Sequence, residues 1–102
     1  MIIEMAILEA KPGEAAGMRE GLARAHSVIS RSPNYLGSSF HESIERPERF
    51  VLYIKWASVA DHTDGFRKGP LFPEWRSHWA QYLGGTPDVL HYDVFAGDES
   101  SS

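Results

Sequence analysis

The 102-residue sequence contains no cysteine, which excludes disulfide frameworks and thiolate metal sites. It also has no apolar run that approaches the roughly 20 residues needed to span a bilayer. The start, "MIIEMAIL", is apolar but too short for a signal core, and Glu4 interrupts it. We therefore expect a cytoplasmic protein that is not inserted in a membrane.

Positive charge is scarce as well. Ten lysines and arginines stand against fourteen acidic residues, which gives a net charge of −4, and the basic residues are scattered. A nucleic-acid-binding domain needs a basic patch or stripe that neutralises phosphates. Nucleic acid is therefore not an expected partner.

The length and composition fit one small globular domain, with 42% hydrophobic and 24% charged residues. We assign residues 1–96 to this domain and expect residues 97–102, which are small and polar, to form a disordered tail. A domain of this size buries a modest fraction of its surface, so a partner, including a second copy, would help to stabilise it.

Hydrophobic periodicity and turn residues divide the chain into six segments. The predicted order is strand (2–10), helix (14–32), strand (35–45), strand (49–58), helix (59–83, interrupted by "KGP") and strand (87–95). This doubled βαβ order predicts an α+β fold, a four-stranded antiparallel sheet with both helices on one face.

The spacing of apolar residues predicts which side chains share a face. One stripe of the first helix contains Met18, Leu22, Ala25 and Ile29. Alternation in the second strand predicts a common face for Leu36, Ser38, Phe40, Glu42 and Ile44. In the last strand it separates Val89, His91, Asp93 and Phe95 from Leu90, Tyr92 and Val94.

The third strand, "RFVLYIKWAS", has an apolar stretch without alternation at residues 50–54. Such a stretch indicates that both faces of the strand are covered. Because the helices can cover only one face, a second copy that packs sheet against sheet would cover the other. The sequence therefore predicts a homodimer, although helix-covered sheets with one solvated face are also common.

The stretch "DHTDGFRKGPLFPEWRSHW" (61–79) has the densest mixture of aromatic and ionisable side chains. Aromatic residues recur there and beyond at helical intervals, at Phe72, Trp75, Trp79 and Tyr82. Such a stripe is typical of a core beneath a helix. It is equally compatible with the wall of a pocket that binds a flat apolar ligand.

Four polar side chains are candidates for chemistry. His62 and Arg67 lie in the irregular part of that stretch, near glycines that allow the segment to bend at a pocket mouth. Arg76 flanks the aromatic stripe, with a surface position as the alternative. His91, between apolar neighbours in the last strand, is either a hydrogen-bonded core histidine or a proton acceptor that faces a cavity. No metal-ligand spacing, phosphate loop or nucleophile elbow is present.

The segment "FVLYIKWASVADHTDGFRKGPLFPEWRSHWAQYL", followed by "PDVLHYDVF", resembles the antibiotic biosynthesis monooxygenase family. The resemblance covers nearly the whole chain, from Ile2 to Phe95. It implies a ferredoxin-like subunit, βαββαβ, that pairs into a dimeric α+β barrel. It also implies one of two activities: cofactor-independent oxygenation of anthrone-like or quinol substrates, or oxidative breakdown of haem.

The haem activity in that family uses an Asn of the first strand, a Trp at the end of the third strand and a His of the second helix. Trp56 matches the Trp. The Asn has no counterpart, because the chain's only asparagine is Asn34, after the first helix. Arg76 falls near the place of the helix His, and His78 lies beyond it.

Two kinds of function follow. In a cofactor-independent monooxygenase, His62 or His91 would take the substrate proton, and Arg67 or Arg76 would stabilise the phenolate. The aromatic residues expected to enclose the substrate are Trp56, Phe66, Phe72, Trp75, Trp79 and Tyr82. The alternative is a non-catalytic protein that binds an aromatic ligand, or haem, on the same fold.

Overall fold

The structure, a computed structural model, describes residues 1–98. Its strands are Ile2–Glu9 (β1), Tyr35–Glu42 (β2), Arg49–Trp56 (β3) and Asp88–Tyr92 (β4). Its helices are Ala15–Ile29 (α1) and Leu71–Ser77 (α2), with a π-helical turn at Asp61–Phe66 and a 3₁₀ turn at Ala80–Tyr82. The predicted βαββαβ order is confirmed. Most of the predicted tail, residues 99–102, lies outside the described residues, so the boundary at residue 96 stays a prediction.

The four strands form one antiparallel sheet, as predicted, and their order in the sheet is β2-β3-β1-β4. The first strand is therefore central, flanked by β3 and β4. Opposite Glu4 lie Ile54 on one side and His91 on the other. This register brings together residues that are far apart in the sequence.

The main core lies between the sheet and the helices. Side chains of β3 alternate, with Phe50, Leu52, Ile54 and Trp56 fully buried on the helix side. The predicted stripe of α1 is confirmed, because Met18, Leu22, Ala25 and Ile29 are all buried. Burial of this apolar surface is the main term that stabilises the fold.

The opposite face of the sheet carries no helix. Ile3 is buried there, Met5, Ile7, Val51 and Tyr53 are half-buried, and Leu90 is 54% exposed. Within the single chain, therefore, only one face of β3 is covered by helices. The other face is apolar, as predicted, but it is partly exposed.

The predicted face of β2 is wrong at Leu36 and at Ile44. A bulge between Tyr35 and Gly37 adds one residue to the strand, so Tyr35 and Phe40 both pack against the core and Leu36 is 53% exposed. An extra residue reverses the alternation of side chains on either side of it. The strand also ends at Glu42 rather than residue 45, and Ile44 is 91% exposed.

The predicted helix from Pro70 to Leu83 is shorter in the structure. It begins at Leu71 but ends at Ser77, and Trp79 has a non-helical backbone with φ −137°. Ser77 Oγ donates a 2.6 Å hydrogen bond to the carbonyl of Glu74 and so competes with continued helical pairing. The first helix likewise ends at Ile29 rather than at residue 32, before Pro33.

The turn after α2 lies directly against α1. A Cβ atom at Gly21 would lie 2.1 Å from the carbonyl oxygen of His78 and 3.3 Å from Cα of Trp79. Only glycine permits this approach of two backbones.

Candidate functional site

A cavity of about 410 Å³ lies between the sheet and the second helical region. The sheet contributes mainly small and aliphatic side chains, and Glu4 is the one ionisable group among them. The other walls come from the π-helical turn, α2 and the loop before β4. The lining residues are Glu4, Ala6, Leu8, Ile29, Leu52, His62, Phe66, Arg67, Phe72, Trp75, Arg76, Trp79, Thr86, Pro87 and Val89.

The π-helical turn is held at its start by side-chain hydrogen bonds. Ser58 Oγ accepts the backbone N–H of Asp61 (3.2 Å) and donates to Asp61 Oδ2 (2.8 Å). Asn34 also donates to Asp61 Oδ1 at 2.9 Å. At the other end, the backbone N–H of Arg67 donates to the carbonyl of His62 at 2.8 Å, a bond that spans five residues. This wide turn buries both His62 and Phe66.

Glu4 is a buried carboxyl group at the sheet side of the cavity. The indole N–H of Trp56 donates a 2.9 Å hydrogen bond to Glu4 Oε1. Burial raises the pKa of Glu4 from 4.5 to about 7, although the Trp56 hydrogen bond and the charge of Arg67 act in the opposite direction. The carboxyl is therefore poised to exchange a proton near neutral pH.

His62 lies between Glu4 and His91. Its Nε2 is 3.4 Å from Glu4 Oε1, and its Nδ1 is 2.8 Å from His91 Nε2. The imidazole also stacks on Trp56, with ring centroids 5.6 Å apart and planes 21° apart. Burial, with smaller contributions from His91 and Arg67, lowers the pKa of His62 from 6.5 to about 4. His62 is therefore neutral at pH 7.

The three groups form a chain along which protons can shift. Two arrangements of the protons satisfy both contacts of His62. With its proton on Nδ1, His62 donates to His91 and Nε2 can accept from a protonated Glu4. With its proton on Nε2, His62 faces a Glu4 carboxylate and Nδ1 accepts from His91. His91 is half-buried and does not line the cavity, so it lies on the side away from it.

Two arginines line the same cavity. Arg67 is exposed, and its charge acts on both Glu4 and His62. Arg76 is half-buried, and its guanidinium lies 5.4 Å from the centre of the Trp79 ring.

The aromatic walls contact one another edge to face. Phe66 packs against Phe72 and Trp75, and Trp75 packs against Trp79, each at centroid separations of 5.7–5.8 Å. The stripe predicted from spacing therefore serves as core and cavity wall together.

Most of the residues predicted for the site do meet at this cavity. His62, Arg67, Arg76, Phe66, Phe72, Trp75 and Trp79 line it, and His91 contacts it through His62. Two do not line it: Trp56 lies behind Glu4 and His62, and Tyr82 is outside the lining, next to Gly17 of α1. Glu4 was missed, although a lone acid on one face of an Ile-rich strand is a sequence signal for a buried carboxyl.

The ligand set of the cavity does not fit haem. His62 is the one histidine in its lining, and its two ring nitrogens face Glu4 and His91. Neither nitrogen is free to bind iron. Within residues 1–98 no group of three or more His, Asp or Glu residues is placed to hold a metal ion. No helix in that range is long and apolar enough to cross a bilayer.

The family of the chain follows from its sequence. Residues 1–78 match the sequence profile of the family Antibiotic biosynthesis monooxygenase, and the chain belongs to that family.

Three relatives illustrate the range of similarity. A candidate antibiotic biosynthesis monooxygenase from Bordetella bronchiseptica superposes with a TM-score of 0.89 at 32% identity, over 93% of this chain and 97% of the other. The uncharacterised protein YczJ of Bacillus subtilis is 27% identical over 90% of this chain and 97% of its own length. A variant of SnoaB, a cofactor-independent oxygenase from Streptomyces nogalater, shares the fold, with a TM-score of 0.78 at 11% identity and 94% of each chain covered.

Proposed function

We propose that this protein is a cofactor-independent monooxygenase that oxidises a small anthrone-like or quinol substrate with O₂. The observation that carries the proposal is the buried Glu4–His62 contact of 3.4 Å at one wall of an aromatic cavity. Membership of the monooxygenase family and the fold shared with a cofactor-independent oxygenase support it.

Glu4 is the better candidate for the base. Its pKa of about 7 exceeds that of His62, about 4, so the carboxylate is the stronger proton acceptor of the two. Glu4 lines the cavity directly, whereas His91 reaches it only through His62. In this mechanism Glu4 takes the proton of the substrate, and His62 and His91 orient the carboxylate and carry the proton away.

The reaction needs no electron donor other than the substrate. The deprotonated substrate carbon forms a bond to O₂, and loss of water from the resulting hydroperoxide leaves a carbonyl group. An anthrone CH₂ and O₂ thus become C=O and H₂O. Arg67, whose positive charge acts on this end of the cavity, would stabilise the oxyanion that forms when the proton leaves. The aromatic walls exclude water from the intermediate.

The test is O₂ uptake by the purified, metal-free and haem-free protein against a panel of anthrones and hydroquinones, measured above the autoxidation blank. Glu4→Gln preserves the shape of the side chain and removes the base, so uptake should fall by roughly 100-fold or more. Glu45→Gln, at an exposed position outside the cavity, is the matched control and should retain full activity. Equal uptake by Glu4→Gln and the wild type would rule out Glu4 as the base.

A second candidate is a non-catalytic protein that binds an aromatic ligand. The edge-to-face walls of Phe66, Trp75 and Trp79 favour it, because they would hold a flat ring without any proton transfer. This function predicts saturable ligand binding by calorimetry with no O₂ consumption across the panel.

We also propose that the protein is a homodimer in which the open faces of two sheets pack together. The support is the helix-free face that contains Met5, Val51, Tyr53 and the exposed Leu90. Two such faces would bury each other's apolar side chains and close a barrel.

A further inference from the structure

In the part of the chain that the structure describes, Arg67 and Arg76 form no ion pair, and they differ from the other unpaired arginines, Arg24 and Arg46, because they line a cavity. Arg19, Arg31 and Arg49 each form an ion pair with a glutamate, at 2.8, 2.9 and 2.6 Å. Among the described residues, 1–98, no Asp or Glu lies within ion-pair distance of Arg67 or Arg76. The two unpaired guanidiniums nevertheless line one cavity.

The other ionisable groups in the lining do not neutralise them. His62 is uncharged at neutral pH, and Glu4 is only partly ionised there. The cavity therefore carries net positive charge, while the chain as a whole carries −4. Burial of a guanidinium without an anion is costly, and a bound anion would remove that cost for the half-buried Arg76.

The positive charge and the aromatic surface belong to the same cavity. Arg76 lies over the face of Trp79, 5.4 Å from the ring centre, and Phe72 and Trp75 also line the cavity. A ligand that matches both features has a flat apolar body and one anionic group.

We propose that the cavity binds an aromatic carboxylic acid, with its carboxylate held by Arg67 and Arg76 and its ring system against Phe72, Trp75 and Trp79. This deepens the proposed function, and rests on it in taking the cavity as the substrate site. Because the charge of Arg67 acts on Glu4, the carboxylate and the ring carbon that loses its proton would lie at the same end of the ligand.

The test compares a naphthoate with the matching naphthamide by isothermal titration calorimetry on the full-length protein. The two probes have the same ring and nearly the same shape but differ in charge. A charge-assisted contact to two guanidiniums should make the acid at least about tenfold tighter than the amide. Arg67→Gln and Arg76→Gln should each reduce that preference several-fold and leave amide binding within about twofold.

Arg24→Gln is the control, because Arg24 is exposed on α1, does not line the cavity and has the same charge. It should leave the acid preference unchanged. Thermal melts of all variants verify folding, and the amide Kd verifies that the aromatic walls persist. Equal affinity of the wild type for acid and amide overturns the proposal. An equal loss of the acid preference in Arg24→Gln and Arg67→Gln also overturns it, because the preference would then depend on the net charge of the protein and not on the arginines of the cavity.

Failure here can be separated from failure of the proposed function. Selective binding of the acid without O₂ uptake by any substrate would overturn the oxygenase and retain the anionic ligand. Turnover of charged and neutral substrates at the same kcat/KM would overturn the anionic ligand and retain the oxygenase.

Discussion

Trp56 donates its indole N–H to Oε1 of Glu4 over 2.9 Å, and the Trp56 ring also stacks on His62. One fully buried side chain of β3 thus fixes the carboxyl of β1 and the imidazole of the π-helical turn. The acid–imidazole contact is held by the core itself.

Trp56→Phe removes the hydrogen bond to Glu4 and retains an aromatic ring. Because that bond lowers the pKa of Glu4 against the effect of burial, its loss should raise the pKa above about 7. Infrared titration of the carboxyl band measures the shift. The smaller ring and the lost bond should also cost about 2 kcal/mol of unfolding free energy. A Glu4 pKa that stays the same or falls would contradict this role of Trp56.

Glu4→Gln should stabilise the protein at neutral and higher pH. The folded wild type holds the Glu4 proton up to about pH 7, whereas the unfolded chain releases it near 4.5. The wild type therefore loses stability relative to Glu4→Gln as the pH rises between these values, by roughly 3 kcal/mol in total at about 1.4 kcal/mol per pH unit.

Urea unfolding of both proteins across that range measures the difference. The opposite trend from His62, whose low pKa makes the fold more stable as the pH rises from about 4 to 6.5, is present in both proteins and largely cancels. Glu45→Gln should run parallel to the wild type at all pH values. A Glu4→Gln difference that does not grow with pH would show that the Glu4 pKa is not raised.

Gly21→Ala should destabilise the fold although it replaces glycine within a helix. The new Cβ would meet the backbone carbonyl oxygen of His78 at 2.1 Å, so α1 and the turn before Trp79 must separate. Overpacking of this kind costs about 1–3 kcal/mol or more, and the gain in helix propensity returns only about 1. We expect a net loss of about 2 kcal/mol by thermal unfolding.

The matched control is Gly85→Ala, where a Cβ would have no atom within 4 Å. It should change the free energy of unfolding by less than about 0.5 kcal/mol. If the two variants melt at the same temperature, the close approach at Gly21 is not required.

Leu90→Glu should convert the proposed dimer to monomers. Leu90 lies on the helix-free face of the edge strand β4, where a carboxylate would be buried by a second sheet without a partner. Sedimentation velocity at micromolar concentration distinguishes the two states. Ile44→Glu, at a 91% exposed loop position, should remain dimeric. A wild-type protein that sediments as a monomer would exclude the dimer.

Local periodicity accounts for the part of the fold that the sequence predicts well. The α1 stripe and the alternation of Val89 and His91 with Leu90 and Tyr92 depend only on neighbours along the chain, and both agree with the structure. The prediction is wrong beyond Tyr92, where β4 ends: Asp93, Val94 and Phe95 lie outside the strand, and Phe95 is 98% exposed. The bulge at Leu36 and the early end of α2 at Ser77 were missed, because each depends on contacts made elsewhere in the fold. Tertiary contacts of this kind override local propensity.

The sequence predicts most of the side chains that line the cavity, but it does not predict the role of Glu4. His62, Arg67 and the aromatic stripe stand out by composition, since they lie within one short stretch. The link between His62 and His91 depends on sheet register, which sequence alone does not fix. In the sequence Glu4 is only a break in an apolar segment. Its place beside His62 follows from the position of β1 as the central strand, with His91 opposite Glu4 on β4.

The three tryptophans of the chain are Trp56, Trp75 and Trp79, and all are buried at or beside the cavity. Their intrinsic emission should therefore be blue-shifted in the folded protein. Trp75 and Trp79 would be quenched by a ring that stacks in the cavity, and Trp56 would respond to a proton gained by the stacked His62. The protein thus carries an optical reporter of both the occupancy and the protonation of its site, with no label attached.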